Sequence, residues 1–331
     1  MIEQKTEQFR KTFSDIKNQI AQVIVGLDEI VDAVTGALFL GGHVLLEGVP
    51  GLGKTLLVKS LADSLNLSFS RIQFTPDLMP ADILGTNLII ENMPGQKAFQ
   101  FQKGPIFTNI LLADEINRAT PKTQSALLEA MQERTVTVAG HQNALADPFY
   151  VLATQNPIEM EGTYPLPEAQ LDRFLYKLIV PFPDEEQLLK IVHRTTTEAL
   201  ARAQAVAERD RIREFSQLIL QVPVAENVAR MAGRITMQTH PEFDGSPENV
   251  RRFVRYGSSP RGAQALILSA KLRALQQGRF NAAVDDVIGA AHICLRHRII
   301  LNIEGQAENV SADQLIGDVV TSAQAQLRSR S

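Results

Sequence analysis

The chain has 331 residues, 44% of them apolar, with a formal net charge of −4 and one cysteine. That length and apolar content support a substantial core in about two domains, while the acidic balance, with a pI near 5.9, argues against nucleic acid as a substrate. Lone Cys294 excludes an internal disulfide. No apolar run approaches the roughly 18 residues that cross a bilayer. The opening Met1-Ile2-Glu3-Gln4-Lys5 lacks a signal-peptide pattern, so a cytoplasmic protein with no membrane span is expected.

The apolar run His43-Val44-Leu45-Leu46 predicts a strand. It leads into Gly48-Val49-Pro50-Gly51-Leu52-Gly53-Lys54-Thr55, a complete GxxxxGK[ST] phosphate loop that runs on into the helix-like Leu56-Leu57-Val58-Lys59. A strand that hands a Gly-rich loop to a helix N-terminus aims backbone N–H groups and the helix dipole at one anion site. Lys54 adds a point charge for the β/γ-phosphates of ATP, and Thr55 a hydroxyl for Mg²⁺. An ordinary strand–turn–helix corner would explain the glycines but not Lys-Thr after the third of them.

Further on, Thr86-Asn87-Leu88-Ile89-Ile90 and Ala98-Phe99-Gln100-Phe101-Gln102 flank the turn Asn92-Met93-Pro94-Gly95 and predict a hairpin with Phe99 and Phe101 on one face. Asn109-Ile110-Leu111-Leu112-Ala113 reads as a buried parallel strand ending in Asp114-Glu115. Carboxylates at such a strand end face the ligand crevice. Asp114 is expected to hold Mg²⁺, directly or through water, and Glu115 to polarise a water for attack on the γ-phosphate. Thr135-Val136-Thr137-Val138, through Ala139-Gly140 towards Asn143-Ala144-Leu145, predicts a second hairpin. Phe149-Tyr150-Val151-Leu152-Ala153-Thr154 predicts another strand, followed by Gln155-Asn156-Pro157. Asn156 suits either a phosphate- and water-binding role or an Asx-turn before Pro157.

After Leu171-Asp172-Arg173-Phe174 the chain divides near Pro181-Phe182-Pro183. Asp184-Glu185-Glu186-Gln187 reads as a capping box, and most of the remaining chain is helical in pattern. In Gly257-Ser258-Ser259-Pro260-Arg261-Gly262, a Ser cap and Pro260 at the first helical position put Arg261 in the first turn. The macrodipole disfavours a cation there by about 0.3–1 kcal/mol. An anion should compensate it, either a local carboxylate or a nucleotide phosphate. His292, Cys294 and His297 fall on different helix faces, so no intrinsic zinc site is expected, and Cys294 reads as a buried small hydrophobe.

The order phosphate loop, Asp-Glu, strand-terminal Asn, Leu-Asp-Arg-Phe and Ser-Pro-Arg-Gly resembles an AAA+ ATPase of the MoxR family. Arg71 through Gly85, Lys103-Gly104-Pro105-Ile106-Phe107 and Ala113 through Ala119 carry the likeness further, over roughly Val23 to Leu301. The resemblance implies that Lys54 and Thr55 are Walker A, Asp114 and Glu115 Walker B, Asn156 sensor 1 and Arg261 sensor 2. It makes Arg173 the arginine finger given to a neighbouring subunit, and places Val25 and Gly26 beside the adenine. Gln73 stands where relatives carry a polar residue that restrains the catalytic Glu. The hairpins correspond to inserts that in relatives face a ring pore; packing against the host domain is the alternative.

The expected fold is therefore α/β: a parallel-sheet P-loop AAA+ domain with helices on both faces (residues 1–183), then a mostly α-helical lid (184–331) able to close on nucleotide bound to the first domain. The resemblance implies a homo-oligomer, a hexameric ring, that couples ATP and Mg²⁺ to remodelling of a protein client. It also implies a von Willebrand factor A domain partner and a role in maturation or metal-cofactor insertion. A nucleic-acid motor is disfavoured because neither hairpin is markedly basic: Glu91, Lys97 and Lys103 with Asp82 serve the first, Glu133, Arg134 and His141 the second. A small-molecule kinase would leave Arg173 and Arg261 without a role.

Overall fold

The computed structural model describes residues 2–93, 96–157, 163–197 and 201–328. Helices α1 (Ile2–Ala21) and α2 (Asp28–Phe39) lead to strand β1 (Val44–Glu47), and the phosphate loop then opens α3 (Lys54–Ser64). Next come β2 (Phe69–Gln73), the short α4 (Pro80–Leu84), and a hairpin of β3 (Gly85–Met93) and β4 (Gln96–Lys103). β5 (Ile110–Asp114) turns through the 3₁₀ segment Ile116–Arg118 into α5 (Pro121–Glu133), followed by a second hairpin, β6 (Thr135–Val138) and β7 (His141–Ala144). β8 (Tyr150–Gln155), α6 (Glu168–Leu171) and β9 (Tyr176–Ile179) complete the α/β part. Helices dominate thereafter: α7 (Glu185–Thr197), α8 (Arg209–Gln221), α9 (Glu226–Gln238) and α10 (Glu248–Phe253). The last elements are β10 (Val254–Tyr256), α11 (Pro260–Gln276), α12 (Val284–Leu295), β11 (Ile300–Leu301), α13 (Ile303–Ala307) and α14 (Ala312–Arg328).

Five strands form one parallel sheet in the order β2-β5-β8-β1-β9. Their side chains alternate between two buried clusters. Val44, Leu46, Ile110, Leu112, Tyr150 and Leu152 pack into one with α1, α2 and α3, whereas Leu45, Leu111, Ala113, Val151 and Ala153 pack into the other with α5. Both faces are covered, which is why these strands read as unbroken apolar runs.

The architecture changes at Pro181-Phe182-Pro183, but the apolar core does not stop there. Phe215 of α8 packs edge-on to Phe9 of α1, ring centroids 5.1 Å apart, and to Phe39 of α2 at 5.9 Å. The same cluster continues to Leu266 and Leu295 of the C-terminal helices. Two local predictions hold in detail. Gln187 N–H donates to Asp184 Oδ1 at 2.8 Å and the Gln187 side-chain oxygen accepts from Asp184 N–H at 3.2 Å, the expected capping box at the start of α7. Ser259 caps α11, its Oγ accepting from Arg261 N–H at 3.1 Å, with Pro260 in the first turn.

Both predicted hairpins form, in antiparallel register, although Pro94 and Gly95 of the first turn lie outside the described residues. At the base of the first, Gly85 (φ +98°) and Gly104 pass so closely that a Cβ on Gly104 would come within 2.2 Å of the Ile83 carbonyl oxygen. The register pairs Ile89 with Phe99 and Asn87 with Phe101, so these four share one face. The two aromatics differ in environment. Phe99 is 77% exposed, whereas Phe101 turns its ring edge towards Phe107, 5.7 Å between centroids.

Candidate active site

The sheet register brings the polar strand ends to one edge. Glu47 pairs with Gln155, Ala113 with Ala153, and Gln73 with Asp114, so the phosphate loop, Asp114-Glu115 and Asn156 surround one crevice at the C-terminal ends of the strands. Gly51 (φ +85°) and Gly53 (φ +75°) take left-handed conformations open to few residue types other than Gly, and Gly53 is the N-cap of α3. No side chain caps that helix. Its first N–H groups therefore present an anion site of the kind the motif requires. Lys54 Nζ donates to the Gly48 carbonyl at 2.6 Å; burial pushes the ammonium below its ordinary pKa, opposed by the negative charges of Asp114 and Glu115. Asn156 is buried beside the loop, where Gly48 N–H donates to the Gln155 carbonyl at 3.2 Å.

The adjacent carboxylates have separate partners. Asp114 Oδ1 accepts from the buried Thr154 hydroxyl at 2.6 Å, and Oδ2 from Arg71 Nη2 at 2.7 Å and Nε at 3.1 Å. Glu115 adopts φ +56°, ψ +50°, a strained choice for a residue with a side chain, costing roughly 1–2 kcal/mol. Thr154 holds it there by accepting from Glu115 N–H at 2.8 Å. That turn swings the Glu115 carboxylate to where Gln73 Nε2 (2.7 Å) and Arg118 Nη1 (2.9 Å) donate to its Oε2. The contact anticipated for Gln73 is thus present.

A hydroxyl at Thr55 and a carboxylate at Asp114 are hard oxygen donors beside a phosphate-facing loop, a set that fits Mg²⁺ completing its shell with water and phosphate oxygens. Among the described residues no group of three or more His, Cys, Asp or Glu side chains forms a separate metal cluster. A cavity of about 560 Å³ opens off the phosphate loop, its walls including Val25, Gly26, Pro50, Gly51, Leu52, Gly53, Leu56, Phe182 and Leu188. Gln187 covers Gly26 so closely that a Cβ there would meet its side chain at 2.4 Å. Val25 and Gly26 thus join the loop in one mostly apolar slot suited to a flat base.

Arg173 and Arg261 lie elsewhere. Both line a second cavity of about 310 Å³ with Gly41, Gly42, Leu175 and Arg134, residues that precede β1 and β9 or follow α5. This is the opposite, N-terminal end of the strands. Arg173 Nη1 donates to the Leu128 carbonyl at 2.7 Å. Arg261 Nε is 3.9 Å from Asp172 Oδ2, so the anion facing Arg261 is a carboxylate of its own chain. Asp172 also accepts from Ser259 Oγ and Arg298 Nε, each at 2.8 Å. The expected closure of a lid bearing Arg261 over its own chain's nucleotide is therefore not the arrangement observed. The C-terminal segments at that nucleotide slot include the 181–183 connection and α7, while α11 carries Arg261 to the other end of the strands.

Arg71, Arg118 and Thr154 are site residues to which the sequence assigned no role. The partners of Arg71 and Thr154 depend on register across β2, β5 and β8, and that of Arg118 on the left-handed turn at Glu115. The basic group Arg251, Arg252, Arg255 and Arg261 disperses: Arg252 pairs with Glu304 and Glu308, and Arg255 lies over Tyr256. Cys294 is buried, its thiol pushed up to about 11 by burial, and His297 Nε2 bonds to the Phe174 carbonyl at 3.0 Å.

Residues 43–176 match the model of the ATPase family associated with various cellular activities (AAA), and residues 247–319 that of the AAA lid domain. The chain is 41% identical over 307 residues to Chaperone MoxR1 of Mycobacterium tuberculosis, covering 91% of this chain and 79% of that one. It is also 41% identical to the uncharacterized protein YeaC of Bacillus subtilis, covering 91% of each. A solved structure of a candidate ATPase from Cytophaga hutchinsonii superposes with a TM-score of 0.90 at 38% identity, covering 97% of this chain and 96% of that one.

Proposed function

We propose, for a chain that belongs to the MoxR family of AAA+ ATPases, that ATP hydrolysis at the subunit interfaces of a ring drives chaperone-like remodelling of a protein client. One observation carries the reading. The phosphate loop with Asp114-Glu115 stands at the C-terminal ends of the sheet's strands and the pair Arg173 and Arg261 at their N-terminal ends, so two copies placed head to tail complete a site that one chain leaves divided. A hexamer closes such a heterologous contact into a ring.

Within that site the roles follow from chemistry. The loop N–H groups from Gly51 to Thr55 and the Lys54 ammonium bind and orient the phosphates, and Val25, Gly26 and Leu56 flank the base. Thr55 and Asp114 would hold Mg²⁺, which would supply positive charge to offset that of the phosphates. Glu115 orients and deprotonates the attacking water, and Asn156 fixes it from the adjacent strand end. Arg173, with Arg261 beside it, meets the charge that builds on a neighbour's γ-phosphate. Removing such a finger costs about 10³ to 10⁵ in rate in other nucleotide hydrolases.

The named chaperone among the relatives supports a protein rather than a metabolite as the object of the cycle. The exposed Ile89 and Phe99 on the first hairpin offer an apolar contact for it. We extend the proposal to maturation or metal-cofactor insertion of a client complex, together with a von Willebrand factor A domain partner, in the cytoplasm. Calorimetry tests the division of labour: Lys54→Ala should lose ATP binding, whereas Glu115→Gln should bind ATP and not cleave it. Undiminished turnover in Glu115→Gln would remove Glu115 from the general-base role.

A further inference from the structure

The Asp114 carboxylate is already engaged by a cation. Oδ1 faces the buried Thr154 hydroxyl, and Oδ2 takes two N–H donors from Arg71. A divalent ion approaching Asp114 therefore meets the Arg71 guanidinium at Oδ2. Two cations at one oxygen repel each other, and the Arg71 side chain, 45% exposed, has solvent to move into. Arg71 Nη2 also donates to Gln73 Oε1 at 2.7 Å, and the other end of that amide, Nε2, donates to Glu115 Oε2 at 2.7 Å. Asp114, Arg71, Gln73 and Glu115 thus form one continuous chain of hydrogen bonds along the edge strand β2.

We propose that Arg71 is the resident counter-cation of Asp114, a positioning residue that the divalent ion displaces, and that its departure loosens the hold of Gln73 on Glu115. The inference rests on the nucleotide-site reading above. Charge on Asp114 stays balanced in both states, by Arg71 before the metal arrives and by the metal afterwards. Glu115 keeps Arg118 throughout but loses the support that fixes the Gln73 amide. The general base is thereby held back until the metal is in place, so that a metal-free nucleotide does not engage it.

The test is Mn²⁺ binding to the full chain at saturating non-hydrolysable ATP analogue, followed by electron paramagnetic resonance. Arg71→Ala should lower the half-saturating Mn²⁺ concentration by about three- to tenfold, as expected for removing a competing charge-assisted contact, with analogue binding in EDTA unchanged. Gln73→Ala, which leaves Asp114 and Arg71 intact, should lower it by a smaller factor because Arg71 loses its second anchor. Arg71→Gln, which keeps bulk and hydrogen bonding without charge, reproduces the Arg71→Ala result if the alanine variant folds poorly. An unchanged or raised Mn²⁺ midpoint in a folded Arg71 variant, with wild type binding Mn²⁺ normally, overturns the latch alone. Wild type that binds no Mn²⁺ with the analogue overturns the nucleotide-site reading and the latch together.

Discussion

Asp114 and Glu115 are neighbours in sequence, yet the left-handed turn at Glu115 aims their carboxylates at different partners. One residue of strained backbone thus separates the carboxylate proposed to hold the metal from the one proposed as the base. His43 shows how burial acts on a side chain with no part in the chemistry. Its Nδ1 accepts from Val151 N–H at 3.0 Å and its Nε2 bonds to the Met131 carbonyl at 3.1 Å, which fixes the neutral ring with the proton on Nε2. Burial, with Arg134 nearby, pushes its pKa down to about 3. Below about pH 6.5 the unfolded chain takes up a proton that the folded chain refuses, so this contribution to stability is complete above that pH and declines towards pH 3. The slope approaches about 1.4 kcal/mol per pH unit for one such group, and buried His297, whose pKa is likewise lowered, acts in the same direction. His43→Gln should therefore be less stable at pH 8 but lose less Tm between pH 6.5 and 4.5 than wild type. Parallel Tm curves would show that His43 does not titrate on unfolding.

Among the elements, the first hairpin divides into a packed base and an exposed tip. Phe101 rests against Phe107, while Ile89 and Phe99 extend outward, so the paired aromatics anticipated on one face have different duties. Replacing Phe99 and Ile89 with Ser should abolish stimulation of the ATPase by a chemically unfolded polypeptide while basal hydrolysis and Tm stay near wild type. Phe101→Ser should instead lower Tm, by removing part of a buried contact. A loss of stability from the Phe99 and Ile89 changes, with stimulation retained, would make the tip structural. The hairpin also depends on the close passage of Gly85 and Gly104. Gly104→Ala would press a methyl into the Ile83 carbonyl, and a destabilisation of about 1–3 kcal/mol in denaturant melts is expected. A neutral effect would mean that the hairpin base shifts freely.

At the scale of the molecule, the α/β part and its nucleotide site were legible because their signals are local. Apolar runs such as Ile110–Ala113 announce strands, Gly48 through Thr55 announces a loop, and Asp184 to Gln187 and Ser259-Pro260 announce helix starts. What could not be read were relations across the fold. Arg71 meets Asp114 only through the β2–β5 register, and Arg118 meets Glu115 only through an unusual backbone turn. The end of the sheet at which Arg261 arrives is decided by how α11 packs against α12, α9 and α8 and against the N-terminal α1, and its partner Asp172 lies in a distant part of the chain.

That placement requires Arg173 to serve a neighbour's nucleotide, which subunit mixing can check. Arg173→Ala should retain ATP binding and hydrolyse very slowly, and Glu115→Gln should be equally inert. When the two are mixed and exchange subunits, some interfaces join an Arg173→Ala nucleotide site, whose Glu115 is intact, to a Glu115→Gln neighbour, whose Arg173 is intact. Hydrolysis should reappear, depend on the mixing ratio and peak near equal amounts. Inactivity at every ratio, with subunit exchange independently confirmed, would contradict delivery of Arg173 to a neighbouring site.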